Sequence, residues 1–326
     1  MRENLLEVRD LSIQFETQGG TVKAVDHVSF DIKKGEVFAL VGESGCGKST
    51  TAMGVMQLIK SPGKISGGAV NFDGRNLLEL SRQEMTKVRG NEIGMIFQNP
   101  LDSLNPVYTV GTQMMEGLLV EKMEKEKAYQ IAFDMLRDVK LSDVEARMKS
   151  YPHEISGGMR QRVMIGMMLC RNPKLLIADE PTTALDVTIQ AGIIELMNEL
   201  RKKYDSAILM ITHDFGIVAD IADRVGVMYA GNMIEVGEVF EIFDNPKHPY
   251  TKLLLKALPT ITKEEGRLQT IKGFVPNLAE ERAGCNFADR CPDCTPLCRE
   301  RKPVLREVAE QHLCACLMQE GGAEHA

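Results

Sequence analysis

The stretch Val37-Phe-Ala-Leu-Val-Gly-Glu-Ser-Gly-Cys-Gly-Lys-Ser-Thr50 joins five apolar residues to a glycine-rich loop and the opening of a helix. The run Val37 to Val41 is continuous rather than alternating, the pattern of a strand covered on both faces. Gly42, Glu43, Ser44, Gly45, Cys46, Gly47, Lys48, Ser49 and Thr50 then form a G-x-x-x-x-G-K-S loop, followed by an apolar helix opening at Thr51. The glycines let the backbone wrap closely, so that its N–H groups and the helix N-terminus point at phosphate oxygens. Lys48 is placed to reach the outer phosphates, and Ser49 to offer its hydroxyl to Mg²⁺. A loop of this kind between strand and helix implies a nucleoside triphosphate site. Cys46 reads as a small residue whose backbone alone matters.

A second apolar run, Lys174-Leu-Leu-Ile-Ala-Asp179-Glu180, ends in two carboxylates. Asp179 would hold Mg²⁺, directly or through water, and Glu180 would polarise an attacking water as general base. The pair gains meaning from the loop, because open α/β sheets bind ligands at the carboxyl ends of their strands. Leu175 to Ala178 and Ala207 to Ile211 read as buried strands. Between them Ile189, Ile193, Leu196, Met197 and Leu200 mark one face of a helix over 187–200. Strand, helix, strand predicts a parallel α/β layer. Lys48 and Asp179 are 131 residues apart, too far for one crossover, so a subdomain is inserted between them. Its stretch Thr109 to Val139 is helical in pattern, with a charged solvated helix or turn at Glu121 to Lys127. The methionines at 114, 115, 164, 167 and 168 read as core filler.

The whole chain has 326 residues, enough for about two domains, with 39 Lys+Arg against 46 Asp+Glu. A net charge of −7 argues against a general nucleic-acid binder. No apolar run reaches the roughly 18 residues that span a bilayer, and the start MRENLLEVRD offers no signal-peptide core. The expectation is a chain kept in the cytoplasm. After about residue 245 the texture becomes Pro-punctuated, which puts a boundary near 240–260. Two of the eight cysteines precede residue 284, and the other six fall between Cys285 and Cys316. In a reducing compartment that cluster reads as a metal site rather than a disulfide framework.

Tyr151-Pro-His-Glu-Ile-Ser156-Gly157-Gly158-Met159-Arg160-Gln161-Arg162 closely resembles the signature sequence of ABC ATPases, with Met159 where Gln is usual. The resemblance implies that Ser156, Gly157, Gly158 and Met159 complete the ATP site of an opposite subunit. Phe97-Gln98-Asn99-Pro100 resembles the Q-loop, whose Gln98 would contact Mg²⁺ and water and sense a membrane partner. Thr183-Ala184-Leu185-Asp186 resembles the D-loop, with Asp186 at the dimer interface, and Thr212-His213-Asp214 the switch, with His213 on the γ-phosphate. Phe15 is the candidate for stacking on adenine; Phe30 and Phe38 look like strand core. The implied fold is an α/β P-loop NTPase of ABC type over 1–250. It would have a RecA-like parallel-sheet core, an N-terminal antiparallel β subdomain and an inserted helical subdomain at about 100–170. Residues 251–326 would be a small metal-stapled extension.

The segments Phe97 to Pro106, Glu180 to Val187, Pro246 to Pro259 and Gly273 to Cys291 are similar to dipeptide and oligopeptide importer ATPases. That branch implies ATP hydrolysis driving peptide import from the cytoplasmic side of the membrane. The implied partners are two transmembrane permease subunits, a second homologous ATPase (a heterodimer favoured over a homodimer) and an extracytoplasmic peptide-binding protein. Nickel and oligosaccharide importers share parts of the branch. A soluble ABC-type ATPase acting on nucleic acid or ribosomes, or a redox sensor built on the tail, are the readings from other classes. The residues alone give a four-thiolate site suited to Zn²⁺ or Fe–S. The resemblance implies a [4Fe–4S] cluster on Cys285, Cys291, Cys298 and Cys316, with Zn²⁺ the alternative. Cys294 and Cys314 are extra to that pattern.

Overall fold

A computed structural model describes residues 3–98, 104–182, 186–258, 271–280 and 282–319. The chain opens with β1 (Asn4–Thr17), β2 (Gly20–Lys33), β3 (Val37–Val41) and α1 (Lys48–Val55). Next come β4 (Gly63–Phe72), β5 (Arg75–Asn76), α2 (Arg82–Asn91) and β6 (Ile93–Ile96). Four helices follow, α3 (Val110–Val120), α4 (Lys125–Asp138), α5 (Val144–Lys149) and α6 (Gly157–Leu169). Then run β7 (Leu175–Asp179), α7 (Val187–Tyr204), β8 (Ala207–Ile211), α8 (Phe215–Ile221), β9 (Arg224–Tyr229) and β10 (Asn232–Glu238). The last elements are α9 (Val239–Asp244), α10 (Pro249–Lys256), α11 (Leu297–Glu300), β11 (Arg306–Ala309) and β12 (His312–Cys314).

These elements gather into two compact units, neither of them a continuous segment. The first unit takes residues 1–5, 33–37 and 80–211. Within it β6, β7 and β8 pair in parallel, Ile96 opposite Ala178 and Asp179 opposite Ile211. Every residue of these three strands is buried, as the continuous apolar runs require. Helix α7 makes the crossover from β7 to β8, and Ile193, Leu196, Met197 and Leu200 form its buried face. Ile189, expected on that face, is 38% exposed, because it lies in the first turn beside Gly158. The helical stretch after Thr109 forms two helices, α3 and α4, and the charged segment supplies the turn between them. Lys122 takes φ +62°, which breaks the run between α3 and α4 within the charged segment. Helix α4 buries Ala128, Ala132, Met135 and Leu136, and Met114 and Met164 fill the core around it.

In the same unit α2 starts with a capping box. Ser81 Oγ accepts the Glu84 N–H at 3.3 Å, and a Glu84 carboxylate oxygen accepts the Ser81 N–H at 2.8 Å. Ser81→Ala should therefore cost about 1 kcal/mol. In a thermal melt that is a fall of about 2–4 °C in the midpoint.

The second unit holds residues 6–32, 38–79 and 212–326. One of its sheets has the order β2-β1-β4-β5, with β1 antiparallel to β4 and Leu6 opposite Phe72. In the other, β9 pairs in parallel with β3, β10 antiparallel with β9, then β12 with β10 and β11 with β12. The strands β11 and β12 of the cysteine-bearing tail are thus ladder members of the same sheet as β3, which leads into the phosphate loop. Phe30 and Phe38 stack at 5.2 Å between centroids, both buried, as expected of strand core. Among the described residues no helix is long and apolar enough to cross a membrane.

Candidate functional site

The glycine-rich loop and His213, expected as the switch histidine, lie in the second unit. Two glycines of the loop are dictated by close approach. A Cβ on Gly42 would lie 2.2 Å from the Met228 carbonyl oxygen, and one on Gly47, at φ +107°, would lie 2.5 Å from that of Ala24. Lys48 begins α1 and is buried; its Nζ donates to the carbonyls of Gly42 at 2.8 Å and Glu43 at 3.0 Å. Ser44 and Gly45 are exposed at the crest of the loop. Cys46 is 1% exposed, and burial pushes its thiol up, so it stays protonated inside the loop wall. Ser49 and Thr50 lie half-buried in the first turn of α1. Phe15, near the end of β1, is half-buried and faces Gly63 of β4, where any side chain would strike its ring. His213 is exposed just ahead of α8, whose first turn is capped by Asp214 accepting the Gly216 N–H at 2.8 Å.

In the first unit, Asp179 ends β7 and is 3% exposed. Glu180 follows in a left-handed conformation at φ +47°, its N–H donating to the Ile211 carbonyl at 2.9 Å. That turn swings its carboxylate out of the strand direction, and Gln98 Nε2 donates to it at 2.8 Å. The structure thus brings together two residues 82 positions apart that were both expected at the hydrolytic centre. Ser156 caps α6 and is exposed, its Oγ accepting the Met159 N–H at 3.3 Å, with Gly157 and Gly158 in the first turn. That turn is a helix N-terminus facing outward, the arrangement that receives phosphate. Gln161, fully buried, anchors the helix by donating to the Pro181 carbonyl. Asp186 is the exposed N-cap residue of α7. Asn99, Pro100 and Thr183 to Leu185 of the expected Q- and D-loops lie outside the described residues.

Cys285, Cys291, Cys298 and Cys316 all line one small cavity of the second unit, together with His248 and Phe287. Burial raises the thiols of Cys285, to about 11, and Cys291, to about 12, and raises that of Cys316. Acting against burial, nearby backbone N–H groups favour the charged form at three of the sulfurs: that of Phe287 at Cys285, that of Asp293 at Cys291, and those of Met318 and Gln319 at Cys316. Cys314 points elsewhere. It is fully buried opposite Glu235, whose charge adds to burial in raising its thiol. That carboxylate also pairs with His312 at 2.8 Å, both side chains fully buried, which pins β12 to β10. Cys294 packs on the small apolar cluster of Ala288, Cys298 and Leu317. Among the described residues no group of three or more His, Cys, Asp or Glu side chains stands close enough to hold a metal ion.

Sequence reasoning passed over a second set of residues at the phosphate loop. Arg290 grips the Glu43 carboxylate with both terminal nitrogens, at 2.7 and 2.9 Å, and its side chain is only 4% exposed. Glu43 holds the guanidinium in its charged form against the pull of burial. Tyr250 Oη accepts the Glu43 N–H at 3.0 Å. Tyr229, Tyr250 and Phe287 form a buried aromatic triad with centroids 4.7 to 5.3 Å apart. The Pro246-Lys-His-Pro-Tyr250 and Arg290-Cys291 strings stood out by resemblance, but nothing local connects them to Glu43.

A glycine-rich loop between strand and helix, a strand-end carboxylate pair and an exposed Ser-Gly-Gly helix start are the parts expected of an ATP-binding cassette. The family model described as ABC transporter matches residues 25–183. The model described as the C-terminal region of oligopeptide/dipeptide transporters matches residues 234–298. The chain is 49% identical to a probable peptide ABC transporter ATP-binding protein of Sinorhizobium fredii, across 96% of this chain and 94% of that one. It is 48% identical to the dipeptide transport ATP-binding protein DppD of Bacillus subtilis, across 99% and 97%. With the oligopeptide transport ATP-binding protein OppD of Escherichia coli it shares 49% identity, across 96% and 92%. Among solved structures, cbiO1 from Clostridium perfringens, part of an ABC transporter complex, superposes with a TM-score of 0.66 at 30% identity, across 74% of this chain and 92% of that one. The chain belongs to the ATP-binding subunits of ABC transporters. Within them it falls in the peptide-transporter branch that carries the oligopeptide/dipeptide C-terminal region.

Proposed function

We propose that this chain is the ATP-hydrolysing subunit that powers import of dipeptides or oligopeptides through an ABC transporter. The observation that carries the reading is the ABC core and the oligopeptide/dipeptide C-terminal region on one chain. The chain docks on the cytoplasmic side of the membrane against two permease subunits, beside a second ATPase subunit, and serves an extracytoplasmic peptide-binding protein. Phe97, Val107 and Tyr108, exposed close to the Q-loop and the helical insertion, offer the apolar contact such docking needs.

In the ATP site, phosphate is received by the N–H groups of Gly42 to Thr50 and by Lys48, while Phe15 packs on the adenine. Ser49, Gln98 and Asp179 are oxygen donors of the kind Mg²⁺ prefers, and the ion supplies charge neutralisation at the phosphates when bound. Glu180, oriented by Gln98, accepts a proton from the attacking water, and His213 contacts the γ-phosphate. Ser156 to Met159 and Asp186 serve the ATP held by the opposite subunit. The cavity lined by Cys285, Cys291, Cys298 and Cys316 is suited to a [4Fe–4S] cluster, which would staple the tail. Its support is the four thiols on one cavity with N–H groups near three of them. Zn²⁺, which asks for thiolates at about 2.3 Å from one centre, is the alternative occupant of the same cavity.

Peptide uptake by cells lacking this chain tests the reading. Restoring the chain should restore uptake, and a Lys48→Ala chain should leave it at least about tenfold lower, since the lysine neutralises transferring charge. Uptake that is indifferent to the chain would sink the proposal.

A further inference from the structure

Glu43, the first variable residue of the phosphate loop, is held by the loop's own lysine and by two groups more than 200 residues away. Its N–H is taken by Tyr250 of α10 and its carbonyl by Lys48, and its carboxylate by Arg290 of the cysteine-bearing tail. Arg290 spends all five of its donors on this task. Nη1 serves Glu43 and Tyr229 Oη, Nη2 serves Glu43 and the Ile271 carbonyl, and Nε serves the Lys272 carbonyl. Its guanidinium also lies 5.6 Å from the centre of the Tyr229 ring. A planar fork fully satisfied in this way is rigid.

Two consequences for nucleotide follow. The loop binds phosphate through backbone N–H groups, so its affinity depends on the backbone being held in shape before ATP arrives. Glu43 also puts a negative charge into a loop that must receive a polyanion, and Arg290 is its counter-charge. We propose that Arg290 is a positioning residue for ATP: by gripping and neutralising Glu43 it keeps the opening arm of the phosphate loop competent, so that the C-terminal extension sets the affinity of the nucleotide site. The extension is then part of the ATP-binding apparatus, and disturbance at Cys291, the next residue, is felt at the loop through one side chain.

The inference rests on the loop being an ATP site. The unaltered full-length chain, titrated alongside with ATP and a fluorescent ADP, separates failure of that reading from failure of this one. Arg290→Ala should raise the dissociation constant for ATP about tenfold or more. Arg290→Lys, which keeps a charge and loses the fork, should fall between it and the unaltered chain. Glu43→Gln should weaken ATP less than Arg290→Ala does, because it removes the unwanted charge along with the grip. The double variant Glu43→Gln/Arg290→Ala should bind ATP better than Arg290→Ala alone. A purely structural staple would lower the melting midpoint of all four variants without this charge-dependent rescue. Affinity within about twofold of the unaltered chain for Arg290→Ala, or losses that simply multiply in the double variant, would overturn the proposal. Should Arg290→Ala fail to fold, Arg290→Lys decides: unchanged affinity in that variant overturns it as well.

Discussion

Glu180→Gln should lower ATP turnover by at least about a hundredfold while leaving ATP affinity within about threefold, the loss expected for removing a general base. The side chains are nearly the same size, and the backbone bond from Glu180 N–H to the Ile211 carbonyl does not depend on the side chain. The left-handed turn at position 180 is therefore kept. The bond from Gln98 survives too, because a glutamine at 180 still presents a carbonyl oxygen to Gln98 Nε2. What disappears is a group able to take a proton. Turnover and binding must therefore separate: nucleotide is held and not cleaved. Steady-state phosphate release together with equilibrium binding of ATP on the same preparation measures both. A variant keeping more than about a tenth of the turnover would remove Glu180 from the general-base role and leave Gln98 holding a carboxylate of structural importance only.

The parts legible in the sequence are those whose chemistry is local. Val37 to Val41 followed by the glycine-rich loop, and Leu175 to Asp179 with its two acids, are short, continuous and bounded by their own turn residues, and the strands form as read. The exposed turn at Ser156 was legible for the same reason, since serine ahead of a helical run is a favoured N-cap, and here it accepts the Met159 N–H. At Glu121 to Lys127 the pattern left helix or turn open, and the structure has the turn. The charges there fit a helix surface equally well on either side of a break, and the break comes from the backbone at Lys122. Pairings across long sequence distance were not legible at all. Glu43 and Arg290 lie 247 residues apart, and each alone looks like a solvated surface charge. Their union depends on the tail adding β12 and β11 to the ladder that begins at β3, a property of the sheet and not of either segment. The same holds for Cys314 and Cys316. Spacing made them rivals, and only the end of β12 at Cys314 tells them apart.

The choice between those two cysteines yields the sharpest expectation for the tail. If the proposed [4Fe–4S] cluster is present, the unaltered chain purified under anaerobic conditions should carry about four iron and four acid-labile sulfide, and Cys316→Ser should lose nearly all of both. Cys314→Ala should keep both. The two sulfurs go to different places. Cys314 is the last residue of β12, paired with Glu235 of β10 and fully buried, with that carboxylate as its foremost charged neighbour. A thiolate there would face a negative charge, and Cys314 does not line the cavity that the other four share, so it is the poorer ligand. One residue on, Ala315 N–H is bonded to the Ile234 carbonyl, and the chain then leaves the ladder for a short turn of helix. That turn delivers Cys316 to the cavity of Cys285, Cys291 and Cys298, where the N–H groups of Met318 and Gln319 offset part of the burial that raises its thiol. Alanine at 314 deletes one sulfur from a packed strand and leaves the cavity alone. Serine at 316 leaves the packing nearly unchanged and removes a soft ligand. Iron and sulfide assays on the two variants, read against the unaltered chain, give opposite results if the assignment is right. Equal loss in both would mean that the metal depends on the strand and not on a particular thiol. One metal per chain with no sulfide would replace the cluster by zinc.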